Sequence, residues 1–377
     1  MYPVLAQRLI IIVTIRMTFK GIKKILVIKL RHIGDVILTI PVFRALRENF
    51  PDAHISALVN SGTEDVLTGN SIMDEIIVFD RNIKKKKPFQ RYLLELSFLQ
   101  NIRAKCFNMV VDLTSGDRAA IISFVSKAKY RLAYDPGKKG FWGKRHFYTH
   151  LSKKSGDVHM VLSNLGVVRQ FGIDTDNLFL DFFIPEDARI FIKKIFFENG
   201  INKEDRIIHL HPTARWLFKC WKDEYIAEVI KWAGDKKVKV IITSSSNEGE
   251  RDKVRRVLSL VSSKNVLNLS GKTTIKELAA VSEASDLFFG VDTAPMHIAA
   301  AVGTPVIALF GSGEKNWRPW GEGHKVISKE TGDRDRMSRE EYIRRNLELI
   351  RPAEVIEEIE DLLFKKIDHE GIKERKL

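Results

Sequence analysis

The sequence predicts an α/β protein made of two Rossmann-like, doubly wound domains with parallel sheets. Three features carry this expectation. Short runs rich in Val, Ile and Leu alternate with longer amphipathic stretches, as buried parallel strands alternate with crossover helices. The length, 377 residues, suits two domains better than one. The alternation also breaks once near the middle and then restarts.

The first strand is read at Ile25–Leu30, followed by an amphipathic helix over Asp35–Asn49 with Pro41 as a kink. Strands are read at His54–Val59, Glu75–Phe79 and Asn108–Leu113, and helices at Tyr92–Arg103 and Asp117–Ser126. The lysine run Lys84–Lys87 reads as a solvated loop. Lys127–Lys154 departs from the rhythm. It interleaves Lys, Arg and Gly with Phe141, Trp142, His146, Phe147, Tyr148 and His150, and reads as a long functional loop. A helix over Val158–Phe171 follows, and Phe182–Pro185 crosses to the second half. There, strands at Arg206–Leu210, Val238–Thr243, Val266–Leu269, Leu287–Val291 and Pro305–Phe310 alternate with helices at Lys222–Ala233, Glu248–Val261, Ile275–Ala284 and Ala294–Val302. A charged helix over Asp333–Asn346 and a last helix over Ala353–Lys365 close the chain. The expected division is an N-terminal extension (1–22), a first domain (23–184), a second domain (185–350) and a C-terminal helix and tail (351–377).

The formal net charge is +14 and the pI about 9.6, which points to an anionic partner: nucleic acid, an anionic membrane surface or a phosphorylated substrate. Two cysteines, Cys106 and Cys220, make neither a disulfide framework nor a zinc spacing and fit a reducing cytoplasm. The apolar run Leu9–Ile15 is too short for a bilayer, which takes ~20 apolar residues, and Met17 reads as the natural start.

The strongest chemical signal is Gly290-Val-Asp-Thr-Ala-Pro-Met-His297, read as strand end, turn and helix start. Asp292 stands where the strand ends, Thr293 is a favourable N-cap, and Pro295 suits the first helical turn. His297 lies four residues after Thr293, on the same helix face. A helix N-terminus at a strand's carboxyl end favours phosphate. A second patch, Arg31-His-Ile-Gly-Asp35, follows the first strand. Gly34 would permit a tight turn, and Asp35 at the helix start could accept a proton. The dinucleotide glycine fingerprint is absent, which argues against a nicotinamide enzyme. A third patch, His209 to Trp221, offers Thr213, Arg215 and Lys219, two fixed cations suited to a diphosphate, beside two tryptophans of which one could be core. Ser270-Gly-Lys-Thr273 resembles a phosphate-loop fragment without its leading glycine. Trp317-Arg-Pro-Trp-Gly321 follows the Gly-rich Gly311-Ser-Gly313 and reads as a loop at a cleft mouth.

Taken in order, Ile28-Lys-Leu-Arg-His-Ile-Gly-Asp35 through Pro41, His211-Pro-Thr-Ala-Arg-Trp-Leu-Phe-Lys-Cys-Trp221 and Gly290 to His297 resemble the ADP-heptose:lipopolysaccharide heptosyltransferases, glycosyltransferase family 9, from about Ile25 to Leu363. The Phe218 to Trp221 and Asn316 to Trp320 segments are most similar to the heptosyltransferase III branch, which adds the side-branch heptose to the second inner-core heptose. The resemblance implies a glycosyltransferase-B fold, with two domains facing across a cleft, and inverting transfer of a heptose from ADP-heptose with no cofactor and no metal. It makes Asp35 the general base, and Lys219 the holder of the diphosphate with Thr213 nearby. Asp292 and Thr293 become donor contacts with His297 beside them, and Gly271, Lys272 and Thr273 neighbours of the adenosine. The acceptor would be a phosphorylated lipopolysaccharide core, met by Arg31, Lys144 and Arg145, and bound too by Lys127, Lys129, Arg131, Lys138 and Lys139, which would so hold the chain at an anionic membrane surface. The chain would sit on the cytoplasmic face of a Gram-negative inner membrane, with no nucleic-acid partner. Three alternatives stay open: another enzyme of this architecture with a different substrate, a non-catalytic anion-binding homologue, and a basic RNA-binding protein.

Overall fold

The computed structural model describes residues 19–154, 156–261, 264–312, 315–332 and 334–365. The expectations for Leu9–Ile15, Met17, Gly313, Asp333 and the tail beyond Lys365 lie outside them. The chain forms two compact units, with the boundary between Phe179 and Leu180.

In the N-terminal unit the chain runs β1 (Lys24–Lys29), α1 (Ile33–Ile37), α2 (Ile40–Asn49), β2 (His54–Asn60), β3 (Glu75–Phe79), α3 (Pro88–Ala104), β4 (Met109–Asp112), α4 (Asp117–Val125), β5 (Tyr130–Tyr134), β6 (His150–Ser152) and α5 (Met160–Arg169). The strands form one parallel sheet in the order β3-β2-β1-β4-β5-β6. Ile28 of β1 pairs with Leu58 of β2 on one side and Asp112 of β4 on the other. Every residue of β1 after Lys24 is buried, as expected for a central strand covered on both faces.

Two expectations change here. The single helix over Asp35–Asn49 is two helices, separated at Leu38–Thr39. Thr39 Oγ1 donates to the Val36 carbonyl at 2.6 Å, and Pro41 takes the second position of α2, where its missing N–H leaves no bond unmade. Pro41 thus starts a helix rather than kinking one. The supposed long loop at 127–154 contains β5 and β6, which widen the sheet. Leu132 and Ala133 are buried against it, and Tyr130, Arg131 and Tyr134 on either side are half-buried.

In the C-terminal unit the order is α6 (Glu186–Glu198), β7 (Ile207–His211), α7 (Asp223–Asp235), β8 (Lys239–Ile242), α8 (Glu248–Ser259), β9 (Val266–Asn268), α9 (Ile275–Glu283), β10 (Leu287–Val291), α10 (Ala294–Ala301), β11 (Val306–Phe310), β12 (Lys325–Ser328), α11 (Arg339–Leu349) and α12 (Pro352–Glu360). The parallel sheet runs β12-β11-β10-β7-β8-β9. Sequence patterning gave no indication of α6 or β12. Arg189 fixes α6 to α9 by donating from Nε and Nη2 to the two carboxylate oxygens of Glu283, at 2.7 and 2.9 Å. Ile343, Leu347, Val355 and Ile359 of α11 and α12 share one core with Trp221 and Phe289, so the C-terminal helices belong to this unit's interior.

Each sheet has the same strand order when read from its first strand. The chain winds outward from that strand and then returns to its other side. The reversal falls between β1 and β4 in one unit and between β7 and β10 in the other. The carboxyl ends of such adjacent strands diverge into a crevice, the usual ligand position of open α/β sheets.

Candidate active site

The C-terminal unit gathers most of the candidates at its reversal point. Lys219 lies at the end of a short 3-10 turn (Leu217–Lys219) after β7, and Asp292 directly follows β10. Their side chains meet across the crevice, Nζ to Oδ2 at 2.8 Å, both only partly exposed. Gly311 and Ser312, just beyond β11, line the same small cleft. Gly290 makes this convergence possible: a Cβ there would fall 2.7 Å from the His211 carbonyl oxygen, so only glycine lets β10 approach β7 so closely.

Thr293 occupies the N-cap of α10, but its hydroxyl donates back to the Val291 carbonyl at 3.2 Å and caps nothing. The first-turn N–H groups therefore lack a side-chain cap and stand beside the Lys219–Asp292 pair, an arrangement suited to an anion. His297 is buried within α10. Arg215 lies over the Trp216 ring at 5.5 Å, and Trp216 is exposed, whereas Trp221 is the core tryptophan.

Thr213 behaves differently from its expected place beside the phosphates. It is fully buried, and its hydroxyl donates to Glu250 Oε2 at 2.7 Å. It ends a buried relay. His209 and His211 are alternate residues of β7 and share one face of the sheet. His209 Nδ1 meets Ser282 Oγ, and Thr243 Oγ1 bridges His209 Nε2 and His211 Nδ1, each at 2.8 Å. His211 Nε2 lies 3.4 Å from Thr213 Oγ1. Burial holds the His209 imidazole well below its ordinary value, with the neighbouring His211 acting in the same direction. It pushes His211 down to about 4 against the pull of Glu250. Each ring is therefore neutral at pH 7 and carries one N–H. Counting protons back from the Glu250 carboxylate fixes every direction. Thr213 donates to Glu250, His211 Nε2–H to Thr213, Thr243 to His211 Nδ1, His209 Nε2–H to Thr243, and Ser282 to His209 Nδ1. Ser245 Oγ donates to the other oxygen of Glu250 at 2.7 Å. Sequence reasoning did not single out Glu250; the one available signal was an acid near the start of a helix following a strand of the same sheet.

At the end of β9, Gly271 adopts φ +69°, and a Cβ there would press on Arg251 Cδ at 3.0 Å and Ser246 Cα at 3.3 Å. The hydroxyls of Ser270 and Thr273 beside it are buried and make no hydrogen bond. Lys272 is exposed, with Nζ 3.3 Å from the Asn268 carbonyl.

In the N-terminal unit, Asp35 is the third residue of α1, at the carboxyl edge of β1. Its Oδ2 accepts the His32 N–H at 3.3 Å, and the rest of the carboxylate is partly exposed. Gly34 lies inside α1 with no positive φ, so the turn does not use a glycine's extra freedom. Lys29, which the sequence reading passed over, is buried beneath this turn and donates to the Leu113 carbonyl at 3.1 Å and Asn164 Oδ1 at 3.0 Å. Burial lowers its pKa to about 8, and the carboxylates of Asp35 and Asp112 oppose that shift.

Arg31 is exposed and donates to the Thr114 carbonyl at 3.1 Å. Asp112 is buried; it accepts from Tyr148 Oη at 2.6 Å and from the N–H groups of Thr114 and Ser115 at 2.7 and 3.1 Å. Burial raises its pKa against those bonds. Lys144 is a correction: it is buried, with Nζ donating to the Ser115 carbonyl at 2.9 Å and Asp117 Oδ1 at 3.1 Å, so it braces the chain internally instead of offering a free cation. Arg145 is exposed and lies 3.4 Å from Asp135. Among the described residues, no three His, Cys, Asp or Glu side chains converge as a metal site.

The family model for glycosyltransferase family 9 (heptosyltransferase) matches residues 95–344. Lipopolysaccharide heptosyltransferase 3 of Escherichia coli K12 is 31% identical over 89% of this chain and 96% of its own length. A family 9 glycosyl transferase from Veillonella parvula superposes with a TM-score of 0.77 at 24% identity, over 91% of this chain and 97% of that one. The ADP-heptose lps heptosyltransferase II of Escherichia coli superposes with a TM-score of 0.73 at 19% identity, over 91% and 99%. These two structures share the glycosyltransferase-B fold class expected from the sequence. With a family match over most of its length and a relative above 30% identity along nearly all of it, the chain belongs to glycosyltransferase family 9, the heptosyltransferases, and is a glycosyltransferase.

Proposed function

We propose that this glycosyltransferase moves a heptose from ADP-heptose to the inner core of a lipopolysaccharide, inverting the anomeric centre and adding the branch heptose to the second core heptose. The observation that carries the reading is the Lys219–Asp292 pair beside the uncapped N-terminus of α10. The similarity to a lipopolysaccharide heptosyltransferase 3 supports the choice of donor and acceptor.

The chemistry follows from the charges. The departing ADP gains negative charge, and Lys219 with the α10 N–H groups meets it. Because Lys219 is paired with Asp292, the diphosphate must compete for that ammonium, which leaves Asp292 free to accept a hydrogen bond from a sugar hydroxyl. Asp35 removes the proton from the acceptor hydroxyl as its oxygen attacks the anomeric carbon. In this reading Lys219 and backbone donors carry out the neutralisation without a metal, so a chelator leaves the rate unchanged. Arg31 and Arg145 meet the phosphorylated acceptor, and the chain works peripherally on the cytoplasmic face of the inner membrane. The charge of +14 supports that placement. Among the described residues no helix is long and apolar enough to cross a membrane.

The test is ADP release from ADP-heptose with and without a heptose-bearing core acceptor, for the parent chain and Asp35→Ala. Acceptor-dependent release that drops by about 10²-fold or more in the variant, with donor affinity kept, supports both the transfer and the base. Failure of the parent chain to bind ADP-heptose would overturn the donor assignment. Full activity in Asp35→Ala would overturn the base.

A further inference from the structure

Helix α3 has two apolar faces, and among the described residues only one of them has a partner. Phe98, Leu99 and Ile102 pack with Phe79 and Phe107, and the Phe98 ring meets Phe79 edge-on at 5.1 Å. Phe89, Tyr92, Leu93 and Leu96 follow the i, i+3, i+4, i+7 spacing of a second stripe, and they are 73%, 64%, 47% and 39% exposed. A solvated surface helix would be polar there.

The chain just before this stripe is Lys84-Lys-Lys-Lys87, all exposed. Cations at a helix N-terminus oppose the macrodipole, so helix stability does not account for them. Between Arg81 and Ala104 the single acid is Glu95, and it is already paired with Arg91 at 3.1 Å and Arg118 at 2.9 Å. The apolar stripe therefore adjoins four lysines that no acid between Arg81 and Ala104 is free to balance.

We infer that the N-terminal half of α3, with Lys84–Lys87, is a docking surface for an anionic phospholipid bilayer, the lysines facing the headgroups and the Phe89–Leu96 stripe entering the interface. Charge complementarity selects this occupant. A second copy docked through the same face would bring two lysine runs together on chains that each carry +14. A bilayer supplies both the apolar depth and the negative headgroups. The run read from sequence as an ordinary solvated loop thus gains a partner. The inference rests on the proposed function only in that a lipid-anchored acceptor gives docking a purpose.

Flotation of the full chain with vesicles tests it, using phosphatidylcholine alone and a mixture of three parts phosphatidylcholine to one part phosphatidylglycerol, without donor or acceptor. The parent chain is expected to float with the mixed vesicles and not with the neutral ones, and to be released by salt. Phe89→Ser with Leu93→Ser should weaken binding about tenfold or more. So should Lys85→Gln with Lys86→Gln, and both variants should keep the parent circular dichroism and transfer to a detergent-solubilised acceptor. Unchanged vesicle binding in both variants would overturn the inference, as would absence of binding by the parent chain. So would a dimer that the Phe89 and Leu93 changes dissociate while vesicle binding persists. Failure of the proposed function would appear instead as lost transfer to the solubilised acceptor, a separate readout.

Discussion

Thr213 shows how far a motif can be read from its letters. Its place after β7 was legible, because the apolar strand, the proline and the basic turn stand in order. The direction of its hydroxyl was not, because that depends on Glu250, thirty-seven residues onward in sequence on helix α8. Lys219 and Asp292 could each be singled out in the sequence as candidates, but not as partners of each other, since only the sheet order brings β7 beside β10. The same holds for Lys144, whose burial against Ser115 and Asp117 depends on the long-range course of the chain. If Thr213 serves the relay to Glu250, Thr213→Val removes a hydrogen bond to a buried carboxylate while keeping the side chain's shape. The expected loss of stability is about 1.5–3 kcal/mol, read from the urea midpoint, and Thr213→Ser should recover most of it. A Thr213→Val chain as stable as the parent would show that the relay contributes nothing to the fold.

Sequence patterning found the strands β1 to β4 and β7 to β11 and most of the helices between them, because their apolar runs are bounded by clear turn residues. β5 was hidden because its short run, Tyr-Arg-Leu-Ala-Tyr, places only Leu132 and Ala133 in the core, amid lysines and aromatics that imitate a loop. β6 and β12 are edge strands of three and four residues, too short to show an alternation. The turn after β7 is held by an element distant in sequence. Trp221 is buried and donates its indole N–H to the Leu347 and Ile350 carbonyls at the end of α11, both at 3.1 Å. Lys253 of α8 donates to the Trp221 carbonyl at 2.7 Å. Lys219 stands two residues before this anchor. Trp221→Ala should therefore destabilise the C-terminal unit by about 3–5 kcal/mol and also weaken ADP binding. Trp221→Phe keeps most of the packing but leaves two carbonyls without that donor, and should lie between. Denaturation and ADP titration on the same samples check both effects; a destabilised Trp221→Ala chain that binds ADP as the parent does would separate the anchor from the site.

Across the whole chain, the buried titratable groups give the two units opposite responses to acid. In the C-terminal unit, His209 and His211 have folded pKa values below the ordinary 6.5, His211 at about 4. Between those values the unfolded chain binds protons that the folded unit refuses. The stabilising effect is complete above pH 6.5 and is lost as pH falls from 6.5 toward 4. In the N-terminal unit, Asp112 has its pKa raised by burial, so protonation relieves a penalty there and acid helps the fold. The half-buried His150 of that unit shifts in the same direction as the C-terminal pair, but it retains access to water. The carboxylates whose pKa values are lowered by ion pairs, such as Glu75 and Asp223, lose their contribution mainly below the ordinary carboxylate range and so act at lower pH. Moving from pH 7 to pH 5 should therefore open the C-terminal unit first. Hydrogen exchange resolved by peptide, corrected for intrinsic rates, should show protection lost in β7, β8 and β10 while β1, β2 and β4 retain theirs. His211→Gln, which cannot take up the proton, should flatten that pH dependence even if it lowers stability throughout. Equal loss of protection in both units, or an unchanged slope in His211→Gln, would show that the buried histidines do not set the acid response.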